Sequence, residues 1–164
     1  MTKLSYPKKQ LLVMRNLAEQ LVALINGLNP AEISMILIEE VNMHKSRMTG
    51  KTLDGAHFIV MDHFEKAGFI DRVRFIDSDG AVGWRSRLGL VLSDVDKEVN
   101  KKHKAINKRK KKGTSDLVIV NKKHLAARYV NSRLGTSFDV DADPTANDVV
   151  DAIGLGLSEL LTMR

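Results

Sequence analysis

Only two stretches of the chain carry a strand pattern, and everything else with a period is helical. "ISMILIEEV", residues 33–41, is short, β-branched and apolar through Ile38, as a buried parallel strand should be. "FIDRVRFID", residues 69–77, alternates, and Asp79-Gly80 turns the chain behind it. The helical patterns surround them. Residues 9–28 repeat Met14, Leu17, Leu21, Leu24, Ile25 and Leu28 at intervals of three and four, and Asn29-Pro30 stops the run. A second helix is predicted over about residues 52–67, ended by Gly68. A third covers 122–134, with Leu125, Ala126, Tyr129 and Val130 on one side, and the last runs from about Asn147 to Leu161. Helix, strand, helix, strand, helix implies an α/β layer structure with parallel strands. Yet sheets average about five or six strands, so two are too few, and the chain reads as one that begins partway into a fold.

Composition sets the surroundings. The 164 residues, 43% of them hydrophobic, suit one domain with one core, and no internal boundary is evident. There is no cysteine, which excludes disulfides and thiolate metal sites and fits an intracellular protein. No apolar run is long enough to span a membrane, and "MTKLSYPKKQ" lacks the apolar segment of a signal peptide, so a cytoplasmic location is expected. The net charge is +6. Much of the excess lies in "KEVNKKHKAINKRKKKG", residues 97–113, a footprint for phosphates whose counterions would be released on binding. A solvated loop is the plainer reading of the same run.

Acidic residues supply a possible centre. Glu39 and Glu40 stand at the C-terminal end of the first strand, where ligands of open α/β sheets sit. Only one of the two can face a given side. Asp148 and Asp151, three apart on the last helix, can share a face. A strand-end carboxylate with two on a helix would suit Mg²⁺, which takes oxygen ligands and retains waters. Two such ions can orient water against a phosphodiester. Capping is the competing reading, since Asn147 or Asp148 at a helix start would satisfy free N–H groups and meet the positive dipole end.

Five segments, in order, resemble the RuvC-type Holliday junction resolvases. "LNPAEISMILIEEVNM" is similar to the segment in which a strand ends in a glutamate, and "KTLDGAHFIVMDHFEKAGF" to the helix after it. "GWRSRLGL" resembles a Trp-Arg segment of phage-type members, "KKHLAARYVNSRLG" the lysine-bearing helix, and "NDVVDAIGLGL" the C-terminal Asp-x-x-Asp-Ala signature. The last is the most specific, and together the matches cover about residues 9–161. The resemblance implies an α/β, ribonuclease H-like fold, a mixed sheet flanked by helices with its N-terminal strands missing here. It implies a homodimeric endonuclease that resolves branched DNA by phosphodiester hydrolysis, with Mg²⁺ (or Mn²⁺) as cofactor. Carried across, Glu39, Asp148 and Asp151 would hold the metal, and Lys123, or else Lys122, would stabilise charge near the scissile phosphate. The family's fourth acid, an aspartate on the first strand, has no counterpart, because no acidic residue precedes Glu19. A fragment of a longer protein and a natural truncation are both consistent with that gap.

The expected DNA contacts are Lys45, Arg85, Arg87, Lys101, Lys102, Lys104, Lys108, Arg109, Lys110, Lys111, Lys112 and Lys122. Arg85 and Arg87 are chosen because a guanidinium grips two phosphate oxygens. His44, beside Lys45 in a loop, could reach phosphate too. Trp84 reads as a packing anchor, Met35 and Met61 as core filler, and His57, His63 and His124 as ordinary helix residues. The resulting expectation is a metal-dependent endonuclease of DNA recombination and repair in a bacterial or phage-infected cell. The alternative is a truncated, non-catalytic binder of junctions or of nucleic acid generally.

Overall fold

A parallel pair of four-residue strands is the whole of the sheet among the residues that the computed structural model describes, 7–40, 47–78, 80–110 and 116–163. The chain divides into two compact units, Met1–Asp77 and Ser78–Arg164.

The first unit opens with α1 (Lys8–Gly27), followed by β1 (Ile36–Glu39), α2 (Arg47–Lys66), one 3-10 turn (Ile70–Arg72) and β2 (Val73–Ile76). Its strands pair in the register Ile36 with Val73 through Glu39 with Ile76, and the Glu40 amide adds a bond to the Ile76 carbonyl at 2.8 Å. The core is Ala18, Val60, Phe64 and Phe69, against which Leu21, Val22, Ile25, Ile36, Ile38 and Val73 pack. Apolar periodicity thus places α1 on α2, but on a different phase from the expected stripe. The fully buried residue is Ala18, while Leu17, Leu24 and Leu28 are exposed. A methyl side chain lets the two helices approach where a leucine would hold them apart. Gly68, with φ +76°, ends α2, and the Phe69 amide returns to the Phe64 carbonyl at 2.7 Å. The Arg72 guanidinium donates to the Pro30 and Ile33 carbonyls, tying down the approach to β1.

The second unit is helical: α3 (Trp84–Arg87), α4 (Asp94–Arg109), α5 (Lys122–Leu134) and α6 (Pro144–Thr162). Trp84, fully buried, is its centre. Gly154 of α6 makes room for the indole, since a Cβ there would lie 2.5 Å from a ring carbon. Leu125, Ala126, Val130, Val150 and Leu155 complete the apolar interior. Helix α5 keeps the predicted span because both ends are specified: Asn121 caps its first turn, and Gly135, with φ +68°, ends it.

The expected ribonuclease H-like mixed sheet is not the fold. Among the described residues, 64% are helix and 6% strand, with one two-stranded parallel sheet. The segments that would have had to widen the sheet are used otherwise. Trp84 opens a helical turn, and residues 117–120 bond to side chains of α4, not to a strand. Residues 33–35 and 69–72, predicted as strand, are loop and helical turn, so each strand shortens to four residues. Among the described residues, no helix is long and apolar enough to cross a membrane.

Candidate nucleic-acid interface

Helix α4 contains most of the described part of the basic run, and its large apolar residues, Val95, Val99 and Ile106, are exposed and do not dock it. Its inward stripe is Asp96, Asn100, His103 and Asn107, spaced four, three and four residues apart. Asn100 donates to the Val120 carbonyl at 2.7 Å and accepts from the Val120 amide at 2.8 Å. Asn107 does the same with Leu117, at 2.9 Å for each bond. Between them, His103 Nδ1 donates to the Val118 carbonyl at 2.6 Å. The two asparagines are seven residues apart on a helix, about 10.5 Å. Their partners are three residues apart on an extended segment, about 10 Å. The rises match, so both amides reach one backbone at once.

The N-terminal end of α4 is fixed by charge. Ser93 and Asp96 form a capping box, the Ser93 hydroxyl accepting from the Asp96 amide at 3.1 Å. Arg128 of α5 donates to the Asp96 carboxylate at 2.7 Å. That bond, and then the bond from the Ser93 hydroxyl, hold the Asp96 carboxyl below its ordinary pKa.

With its polar stripe turned inward, α4 presents Lys97, Lys101, Lys104 and Lys108 as an adjacent stripe at the same spacing, all exposed, flanked by exposed Lys102 and Arg109. Lys97 pairs with Asp94 at 2.9 Å and Lys102 approaches Glu98 at 3.9 Å. Among the described residues, Lys101, Lys104 and Lys108 have no carboxylate partner. Lys110 is half-buried at the C-cap of α4. Lys45, Lys111, Lys112 and His44 lie outside the described residues.

The three acids of the expected metal centre fall in both units. Glu39 is exposed at the end of β1 in the first unit, whereas Asp148 and Asp151 belong to α6 in the second. Neither Asn147 nor Asp148 caps α6, because that helix starts earlier. Asp143 is its N-cap, accepting from the Thr145 hydroxyl and amide at 2.8 Å each, and the hydroxyl bond first, then the amide bond, lower the Asp143 carboxyl. Asp148 is exposed one turn further in. Asp151 is largely buried and receives Arg85 at 2.8 Å, while the Arg85 guanidinium lies 4.4 Å from the Trp84 ring centre. Arg87 is bonded to buried Glu159 and to the Val82 carbonyl. Lys122 is exposed and Lys123 half-buried in the first turn of α5.

A guanidinium already neutralises the Asp151 carboxylate, leaving Asp148 as the exposed acid of the α6 pair. Among the described residues, no three His, Asp or Glu side chains gather as a metal group. His124, expected to be an ordinary helix residue, joins the cap of α5 through Nδ1 and reaches the Asp141 carboxylate from Nε2 at 3.0 Å.

No protein-family model, curated protein or solved structure matches the chain. The residues that shape this surface but escaped the sequence reading are Asn100, His103 and Asn107. Their signal was present: three hydrogen-bonding side chains at helical spacing inside a lysine run.

Proposed function

We propose that the chain binds nucleic acid without cutting it, with branched DNA as the substrate class favoured by the sequence resemblance. The observation that carries this reading is the stripe Lys97, Lys101, Lys104 and Lys108 on a helix anchored along the adjacent stripe by Asn100, His103 and Asn107. A lysine run in a mobile loop confers solubility at a cost in entropy when it binds. The same lysines on an anchored helix are ordered beforehand, so less freedom is lost when phosphates replace their counterions. The engagement of Asp151 by Arg85 supports a binding role over a catalytic one. A cytoplasmic location goes with this reading, and a homodimer would offer two such stripes to a two-fold symmetric junction.

The test is binding of the full chain to a labelled four-way DNA junction and to a linear duplex of equal length, over a salt series, with and without Mg²⁺. Affinity should fall with salt, and the combined Lys101→Ala, Lys104→Ala and Lys108→Ala substitutions should flatten the slope by about 3, roughly one per phosphate contact. Equal binding by that variant would remove α4 from the interface. Nicks that require Mg²⁺ and disappear in Glu39→Gln would replace the reading with the endonuclease.

A further inference from the structure

Beside the N-terminal end of α4, the second unit has an open groove of about 460 Å³, within the roughly 300–1,000 Å³ range of small-molecule sites. One wall is Leu88, Leu90 and Val91, a loop set by Gly89 at φ +66°, whose amide returns to Ser86 as that of Leu90 returns to Arg85. The other wall is α5, which contributes Arg128, Tyr129 and Arg133. The loop offers aliphatic surface, with Val91 74% exposed, and α5 offers two guanidinium groups around an aromatic ring. Apolar wall, aromatic ring and paired cations form a combination suited to a base joined to a phosphate.

We propose that this groove holds one unstacked nucleotide of a nucleic-acid strand whose neighbouring phosphates run along the α4 stripe. The inference rests on the binding role proposed above and names a second contact for the same ligand. Arg128 links the two surfaces, because its Asp96 partner directly precedes Lys97, the first lysine of the stripe. Its side chain remains 57% exposed in that pair. Asp96 neutralises Arg128, so the net positive charge of the groove comes from exposed Arg133. Arg133 grips the phosphate, and Tyr129 with the Leu90 side packs against the base.

The experiment is titration of the isotope-labelled full chain with thymidine 5′-monophosphate, with thymidine and with inorganic phosphate, at constant ionic strength, following backbone amides by NMR. The nucleotide should shift the amides of 88–91 and 128–133 saturably, at concentrations at least tenfold below those needed for either half alone. Arg133→Ala and Tyr129→Leu should each weaken it by roughly tenfold, the size of one stacked base or one charged contact. Arg133 is exposed and Tyr129 half-buried on α5, and unchanged spectra elsewhere will show that the variants fold. Equal response to inorganic phosphate, or no saturable shift in the groove, overturns the proposal. The Lys101→Ala, Lys104→Ala, Lys108→Ala variant separates the two readings. It should keep mononucleotide binding while losing salt-dependent strand binding. Wild-type strand binding by that variant would sink the α4 role and leave the groove result standing.

Discussion

Helices α1 and α4 are held by opposite means. Ala18 lies fully buried against the α2 face that carries Val60 and Phe64, and no side-chain hydrogen bond is needed to place it. Asp96 and Asn100 are the buried residues of α4, and its stripe fastens to α5 and to the 117–120 backbone by charge and amide pairing. Apolar packing is tolerant of register, since a neighbouring side chain can fill a gap. Amide pairing is not, because a donor set one residue off leaves a backbone group unsatisfied.

The contrast breaks most sharply in the first unit. Phe64→Ala should cost about 3–5 kcal/mol, because it empties the centre of the α1–α2 contact. A denaturation midpoint unchanged from wild type would show that α1 is placed by something else. On the other side, Asn100→Leu has nearly the right volume but cannot serve the Val120 amide and carbonyl. It should cost about 1–3 kcal/mol and accelerate amide exchange at Val120. If leucine is as good as asparagine there, the difference between the two helices is only one of composition.

Acid sharpens the same comparison. Because the Asp96 carboxyl is lowered in the folded chain, its contribution is complete above the ordinary value of 3.8 and is lost as pH falls through the lower, folded value. Amides of α4 should therefore lose protection between about pH 5 and about pH 2, and Asp96→Asn should remove that step. In the first unit, Asp62 is also lowered, chiefly by Lys66, but the pair is an exposed i,i+4 contact on α2. Its titration should leave α1 protected over the same range, since surface pairs contribute little. The smallest effect on folding is expected at Lys104. Lys104→Ala should shift stability by less than about 0.5 kcal/mol while lowering the salt slope of DNA binding by about 1. A large stability change would mean that Lys104 belongs to the scaffold.

These elements differ in how far the sequence exposed them. Helix α5 could be read to the residue because its cap and its left-handed glycine are local devices, complete within a few positions. Helix α1 was recognised but mis-phased, since leucines outnumber the alanine that marks the close contact. The two strands were located, but what lay beside them depended on partners distant in the chain, and a resemblance built from short ordered segments supplied a wider sheet than the described residues form. At Asp148 and Asp151 the spacing was right and the surroundings were not legible. The cap lies upstream at Asp143, and the partner of Asp151 comes from α3. The α4 stripe was hidden for a different reason, because a search for apolar periodicity passes over a face made of amides.

The matched rise between Asn100–Asn107 and Leu117–Val120 acts as a ruler. One residue inserted between the asparagines would turn everything beyond it by about 100° around the helix axis. Asn107 would then miss Leu117, and Lys108 would leave the line of Lys97 and Lys101. One residue inserted between Leu117 and Val120 would pull a single anchor out of reach by about 3.4 Å. Exchanging lysine for arginine along the stripe should cost the fold little, whereas the seven-to-three spacing beside it admits no change in length. The feature of this helix least tolerant of change is the interval between two neutral amides, and the charge beside them is the more replaceable part.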